Sequence, residues 1–223
     1  MKLSILAMST LLLAGTAQAG PYLVLEAGQA RGDFDLNDFK AFNQSVIDAG
    51  GTASLDDDDT DTALSLGGGY RLNNHFAVEL AYMDLGEYSA RSDTQDTVDG
   101  FDRERTIEER LELSGLALQA IGRWPINNLA LEGSAGLIRL DQDGSARAEG
   151  QTFDNSGTVV DSQSTRSSAD DSETVPMFGV GVSYQFTDQL QAQVRYRRMM
   201  NIDSDLQDEY DLDLFTAGIG FYF

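Results

Sequence analysis

The chain has 223 residues, no cysteine, a single histidine (His75) and a formal charge of -22 from 37 acidic and 15 basic side chains. Without cysteine there is no disulfide scaffold, thiolate metal centre or thiol nucleophile, and one histidine argues against multi-histidine zinc sites and histidine-based triads. The acidity argues against nucleic acid, whose phosphates need a basic surface, and the length fits one domain of moderate size.

In chain order, Met1 and Lys2 form a short positive start, 3–13 is mostly apolar, and Ala17-Gln18-Ala19 is a small-residue cleavage pattern. That is a secretory signal peptide over 1–19, with cleavage after Ala19 and a mature chain of 20–223. The apolar run is too short for a spanning helix.

The mature part carries eight runs of about ten residues with period-two alternation. They cover 22–29, 62–70, 76–83, 113–124, 129–140, 177–186, 190–198 and 213–223. The connections at 71–75, 125–128 and 187–189 are short, and the other four are long and polar. Short turns at one end and long loops at the other predict an all-β, eight-stranded antiparallel transmembrane up-and-down barrel.

The faces of each run separate chemically. Phe76, Val78, Leu80 and Tyr82 oppose Ala77, Glu79, Ala81 and Met83, and Val180 and Val182 oppose Gly179 and Gly181. Near the end, Val194 opposes Gln193 and Arg195, and Phe215, Ile219, Phe221 and Phe223 oppose Thr216, Gly218 and Tyr222. A lipocalin-like barrel would turn the large apolar face inward around a ligand. Lipid is favoured because aromatics sit at run ends (Tyr70, Phe76, Trp124, Phe186, Phe221, Phe223) and glycine dominates the other face, as a narrow interior requires. Gly67-Gly68-Gly69 fits close packing in the wall. The fourth run breaks the rule: Leu111 and Leu113 share one parity and Leu116, Leu118 and Ala120 the other. A bulge near Ser114-Gly115, or a strand leaving the bilayer there, is expected.

An interior this narrow holds only its own side chains. Glu26, Glu79, Glu132, Gln119, Arg123, Gln193, Arg195 and Arg197 fall on the inner parity. Isolated buried charges are expensive, so three glutamates against Arg123, Arg195 and Arg197 predict a plug of ion pairs, with Glu79 and Arg195 as first partners. A gated conductance is the functional alternative to a filled polar core.

The four long connections hold 32 of the 37 acidic residues. Asp56, Asp57, Asp58, Asp59 and Asp61 suggest a divalent-cation site, since hard cations take clustered carboxylates. The run lacks the glycine and terminal glutamate of a calcium loop, and a solvated, self-repelling loop is the preferred reading. Phe39, Phe42 and Val46 follow a helical spacing, with Asn37 as cap and Gly50 as terminator.

Several of these segments resemble a known family. The stretch FAVELAYMDLGEY at 76–88 is similar to the third strand of the small OmpA-like outer-membrane β-barrel (porin-like) proteins. GVGVSYQF at 179–186, with Arg195 and Tyr196 beyond, resembles its sixth and seventh strands, and Thr216, Gly218, Phe221 and Phe223 resemble the signal read by the outer-membrane assembly machinery. The resemblance implies short periplasmic turns, long extracellular loops and residence in the outer membrane of a Gram-negative bacterium. It implies contact with lipid and lipopolysaccharide and insertion by the barrel assembly machinery. Outer-membrane enzymes of this build use histidine near the outer rim, whereas His75 falls in a periplasmic turn. No cofactor or enzyme activity is expected. The role expected is structural or surface-interactive (membrane integrity, adhesion) through the acidic loops, which could meet an extracellular ligand or divalent cations. A narrow porin is the runner-up.

Overall fold

The computed structural model describes residues 19–204 and 207–223. The expected signal segment lies, through residue 18, outside the described residues. The elements are β1 (Gly20–Gly32), α1 (Asn37–Asp48), β2 (Thr52–Asp58), β3 (Thr60–Arg71), β4 (Phe76–Val98), β5 (Phe101–Ile126), β6 (Leu129–Phe153), β7 (Val159–Gln185), β8 (Leu190–Ser204) and β9 (Gln207–Tyr222). All pairings are antiparallel: each strand from β3 to β8 pairs with the next in the chain, β1 pairs with both β3 and β9, and β2 pairs with β4. Eight strands thereby close into a ring, and β2 hangs on β4 outside it.

Closure leaves two faces, and the alternation assigns them. Leu25, Leu66, Leu80, Leu118, Leu131, Val180 and Ile219 point outward and are exposed, while Glu26, Glu79, Gln119 and Arg195 on the opposite parity are buried. An apolar surface of this extent needs hydrocarbon as its solvent. Its lower edge carries Trp124, 77% exposed, and the edge-to-face pairs Tyr184–Phe186 and Phe221–Phe223 at 4.9 and 5.2 Å. Aromatic rings with polar tips or rims favour that boundary between hydrocarbon and water.

Three of the four long connections differ from expectation, being largely strand rather than loop. Above Tyr82 the outward side chains of β4 turn polar, yet the strand continues to Val98, about 50 Å further along its axis. Polar strands remain paired because the ladder satisfies every backbone group even where no side chain is buried. β4 and β5 pair up to Val98 and Phe101, across a two-residue turn at Asp99 (φ 54) and Gly100 (φ 83). Positive φ at both positions matches the twist of a tight hairpin. β5–β6 and β6–β7 pairing runs equally far. Thus β2, β4, β5, β6 and β7 form one tall sheet above one side of the barrel, whereas β1 ends at Gly32.

The expected irregularity in the fourth run lies on its neighbour. Alternation along β5 is unbroken, and Leu111, Leu113, Ala117, Gln119 and Ile121 all face inward. The register shift falls between Asp84 and Gly86 on β4, opposite Leu113 and Ser114. Gly86 takes φ +89 there, as a bulge glycine must. The amide of Glu87 beyond the bulge donates to the Asp61 carboxylate at 2.7 Å. Leu111 and Leu113 share the inner parity because the upper barrel interior is apolar, which the polar plug expected from sequence did not include.

The helix forms, but Asn37 is its first residue and makes no capping bond; Asp35 accepts the Asn37 backbone N–H at 2.7 Å. Gly50, at φ +90, ends it. Val46 and Asn43 are its buried residues, and Phe39 and Phe42 remain partly exposed. Asn43 holds the helix to the sheet, accepting from Ser92 Oγ at 2.6 Å and donating to the Ser54 carbonyl at 3.2 Å.

Candidate functional site

The barrel interior divides into two layers. In the lower layer the guanidinium of Arg195 lies among three carboxylates, 2.9 Å from Glu79, 3.3 Å from Glu132 and 3.4 Å from Glu26. Glu26 also receives Arg197 at 2.6 Å and Gln193 at 2.7 Å. Glu132 also receives Arg123 at 3.1 Å and the Ser183 hydroxyl at 2.7 Å. Among the described residues Glu79 has no second cation; its other donors are Tyr22 at 2.9 Å and Gln119 at 2.8 Å. Period-two geometry puts Arg195 and Arg197 on one face of β8, and the narrow cylinder brings three other strands to them.

Sequence reasoning missed Arg71 and Tyr22, and put Tyr222 on the inner parity without giving it a role. Arg71 is buried, donates to Gln191 at 3.2 Å and lies 4.0 Å above the ring of Tyr222. It shares the inner parity of Ser65, Gly67 and Gly69, so one more residue of alternation would have moved it from the turn into the barrel. The layer thus holds four arginines against three glutamates. Tyr22 fits because Gly69 faces it: a Cβ there would lie 2.3 Å from its ring.

The upper layer is mainly apolar, with the buried Gln142 amide accepting from the Tyr210 hydroxyl at 2.9 Å. Met83, Leu85, Leu113, Ile138, Met177 and Leu212 fill it, and Phe34 closes the top against Tyr88 and Tyr210, with ring centroids 5.0 and 4.9 Å away. Phe34 comes from the segment between β1 and α1, whose backbone is tied down by Asp33 N–H donating to the Asp211 carbonyl at 3.1 Å.

The five aspartates do not converge. Successive residues of β2 point to opposite faces, Asp59 pairs with Arg31 at 3.0 Å, and Asp61 accepts the Glu87 amide. Among the described residues no group of three or more His, Asp or Glu side chains could hold a metal. Elsewhere the acids are partnered locally. Hydrogen bonds from Arg91 and Thr106 hold the Asp93 carboxyl below its usual range, those from Ser156 and Thr158 do the same for Asp154, and those from Arg198 and Asn201 for Asp211. Glu109 behaves oppositely, because partial burial and the nearby Asp38 carboxylate push it up.

Of the chain-end residues, Thr216 is buried and accepts Arg197 at 3.3 Å. Gly218 packs so closely that a Cβ would lie 2.2 Å from the Leu25 carbonyl oxygen. Phe221 and Phe223 face lipid. His75 lies in the short turn before β4, its backbone N–H donating to Asn73 Oδ1 at 2.7 Å.

Comparison with known proteins comes to the same architecture. Residues 3–223 match the family model described as outer membrane protein beta-barrel domain. Among solved structures, the chain is similar to Neisserial surface protein A at 15% identity, covering 92% of this chain and 97% of that one, with a TM-score of 0.49. It is also similar to the N-terminal β-barrel domain of Pseudomonas aeruginosa OprF (16% identity, 92% and 100% covered, TM-score 0.44). A third likeness is Ail of Yersinia pestis, solved with a heparin analogue (15%, 92% and 99%, TM-score 0.38). No curated protein matches the sequence.

Proposed function

The chain belongs to the outer membrane protein beta-barrel domain family, and we propose that it is a closed, non-catalytic barrel that carries a tall acidic sheet outside the membrane for surface interaction. The observation that carries this is the complete filling of the interior. A charged layer from Tyr22 to Arg197 is followed by an apolar layer capped by Phe34, Tyr88 and Tyr210. Either layer alone opposes ion passage, the lower by engaging its charges with one another and the upper by apolar packing in which the buried Gln142 amide is already bonded to the Tyr210 hydroxyl and the Asp203 carbonyl. The greater part of β4, β5, β6 and β7 meanwhile lies above the apolar band.

In this reading the signal peptide is cleaved after Ala19, and the assembly machinery reads Thr216, Gly218, Phe221 and Phe223 on the last strand. The outer rim of the band then borders lipopolysaccharide. Single-channel recording of the refolded chain in planar bilayers tests the reading. We expect a flat baseline, and a flat baseline again after Phe34→Ala, because the charged layer remains. Discrete conductance steps from the wild-type chain would overturn it in favour of a narrow porin.

A further inference from the structure

We propose that the cleft at the base of the external sheet is a binding site for a small organic cation that joins one ammonium group to an aromatic or aliphatic body. The proposal rests on reading the external sheet as the interacting part, but it fails separately, because its test measures binding and not conductance.

The cleft follows from the strand register. One row across the sheet runs Tyr88, Leu111, Gly144, Ala169, and the next row outward runs Asp57, Ala90, Glu109, Ala146, Ser167. Residues paired across strands share a face, and burial of Tyr88 and Leu111 shows that this face is the one turned over the barrel mouth. Gly144 and Ala169 in the first row, and Ala90 and Ala146 on either side of Glu109 in the second, carry almost no side chain, so the sheet is hollow there, with Phe34 and Leu36 also lining it. The resulting cavity is about 190 Å³. That is room for about six waters, and smaller than a drug-sized pocket, so the ligand is a small one.

Its chemistry has two parts. The floor is apolar, made by Phe34, Tyr88 and Leu111, and the phenol of Tyr88 is already used on the Leu85 carbonyl at 2.8 Å, leaving its ring as the contact. Above that floor, Asp57 and Glu109 flank Ala90 in one row, about 10 Å apart across two strand spacings. No basic side chain of either row opposes them. Arg110 borders the cleft, but its guanidinium is held by Glu108 and by Glu87, the latter at 3.3 Å. The raised Glu109 carboxyl is what a partly buried acid without a cation shows. A cation seated over Ala90 would meet carboxylates on either side while its body covers the aromatic floor, which itself attracts cations. A neutral body lacks the first contact, and an inorganic cation lacks the second.

The test is isothermal titration of the full refolded chain in detergent micelles with benzylammonium, against benzyl alcohol as its neutral counterpart. We expect benzylammonium to bind at least tenfold more tightly. Glu109→Gln should weaken it at least fivefold, and Ala146→Leu, which fills the cleft without changing charge, should abolish binding. Asp143→Asn removes the same charge from the outer face and should leave binding unchanged. Equal affinity for the two ligands, no binding, or equal loss from Asp143→Asn and Glu109→Gln would each overturn the proposal. If Glu109→Gln does not refold, the two-ligand comparison and Ala146→Leu still decide it.

Discussion

Arg195→Met should separate a shared ion-pair layer from a set of independent pairs. The substitution keeps most of the side-chain volume and removes one cation from between three carboxylates. Glu26 retains Arg197 at 2.6 Å and Glu132 retains Arg123 at 3.1 Å, whereas Glu79 is left with only Tyr22 and Gln119. One carboxylate is therefore stranded, and breaking a buried pair in this way costs about 3–5 kcal/mol. Adding Glu79→Gln removes the stranded charge, and the double variant should regain at least half of the loss. Arg197→Met strands nothing, because Glu26 keeps Arg195 at 3.4 Å and Gln193 at 2.7 Å, so its cost should be about 2 kcal/mol or less. Urea unfolding from lipid vesicles provides the assay, read by Trp124, which is the single tryptophan and lies on the lipid face. Equal stability of Arg195→Met and the double variant would refute the reasoning. So would an Arg197→Met cost as large as that of Arg195→Met.

Arginine at Val180 or Val194 should cost about 2–4 kcal/mol if these positions lie near mid-bilayer, measured by the same unfolding assay; costs near zero would mean the band is misplaced. Gln191→Arg, which alternation alone treats as a milder inward change, should also be costly, because Gln191 Oε1 already accepts Arg71 at 3.2 Å and Arg123 at 2.7 Å and a third cation would crowd them. Deleting Phe223 should reduce heat-modifiable, folded barrel in the outer membrane without altering any external element; normal amounts would remove the assembly role. The Asp154 carboxyl is held below its usual range by donors from Ser156 and Thr158, so its contribution to order at the β6–β7 tip is complete above the unfolded aspartate pKa of about 4 and is lost as pH falls through the lower folded value. Protection of the Ser156 and Thr158 amides, taken as exchange relative to the intrinsic rate at the same pH, should fall on acidification, and Asp154→Asn should remove that pH dependence.

The wall of the barrel is legible in the sequence because lipid acts on every residue singly. A side chain facing hydrocarbon must be apolar whatever its neighbours are, and this demand repeats every second residue, so 76–83, 190–198 and 213–223 reveal both their faces. Charge alone likewise placed Glu26, Glu79, Glu132, Arg195 and Arg197 on one side of their strands. What alternation could not supply is which strand faces which across the cylinder. That Arg195 serves three glutamates, that Glu79 depends on it alone, and that Arg71 and Tyr222 stack at the lower end are consequences of closure between residues far apart in the chain. Leu111 and Leu113 misled for the same reason. Inside a closed barrel an apolar residue can be buried against Met83 and Ile138 as well as against lipid, and a one-dimensional pattern does not distinguish these two solvents. The acidic connections carry no strand-like alternation of apolar residues, and the one hydrophobic period among them is the helical one at Phe39, Phe42 and Val46. Their strands exist because each has a partner's backbone to bond to along its whole length, and that partnership is a property of the assembled sheet.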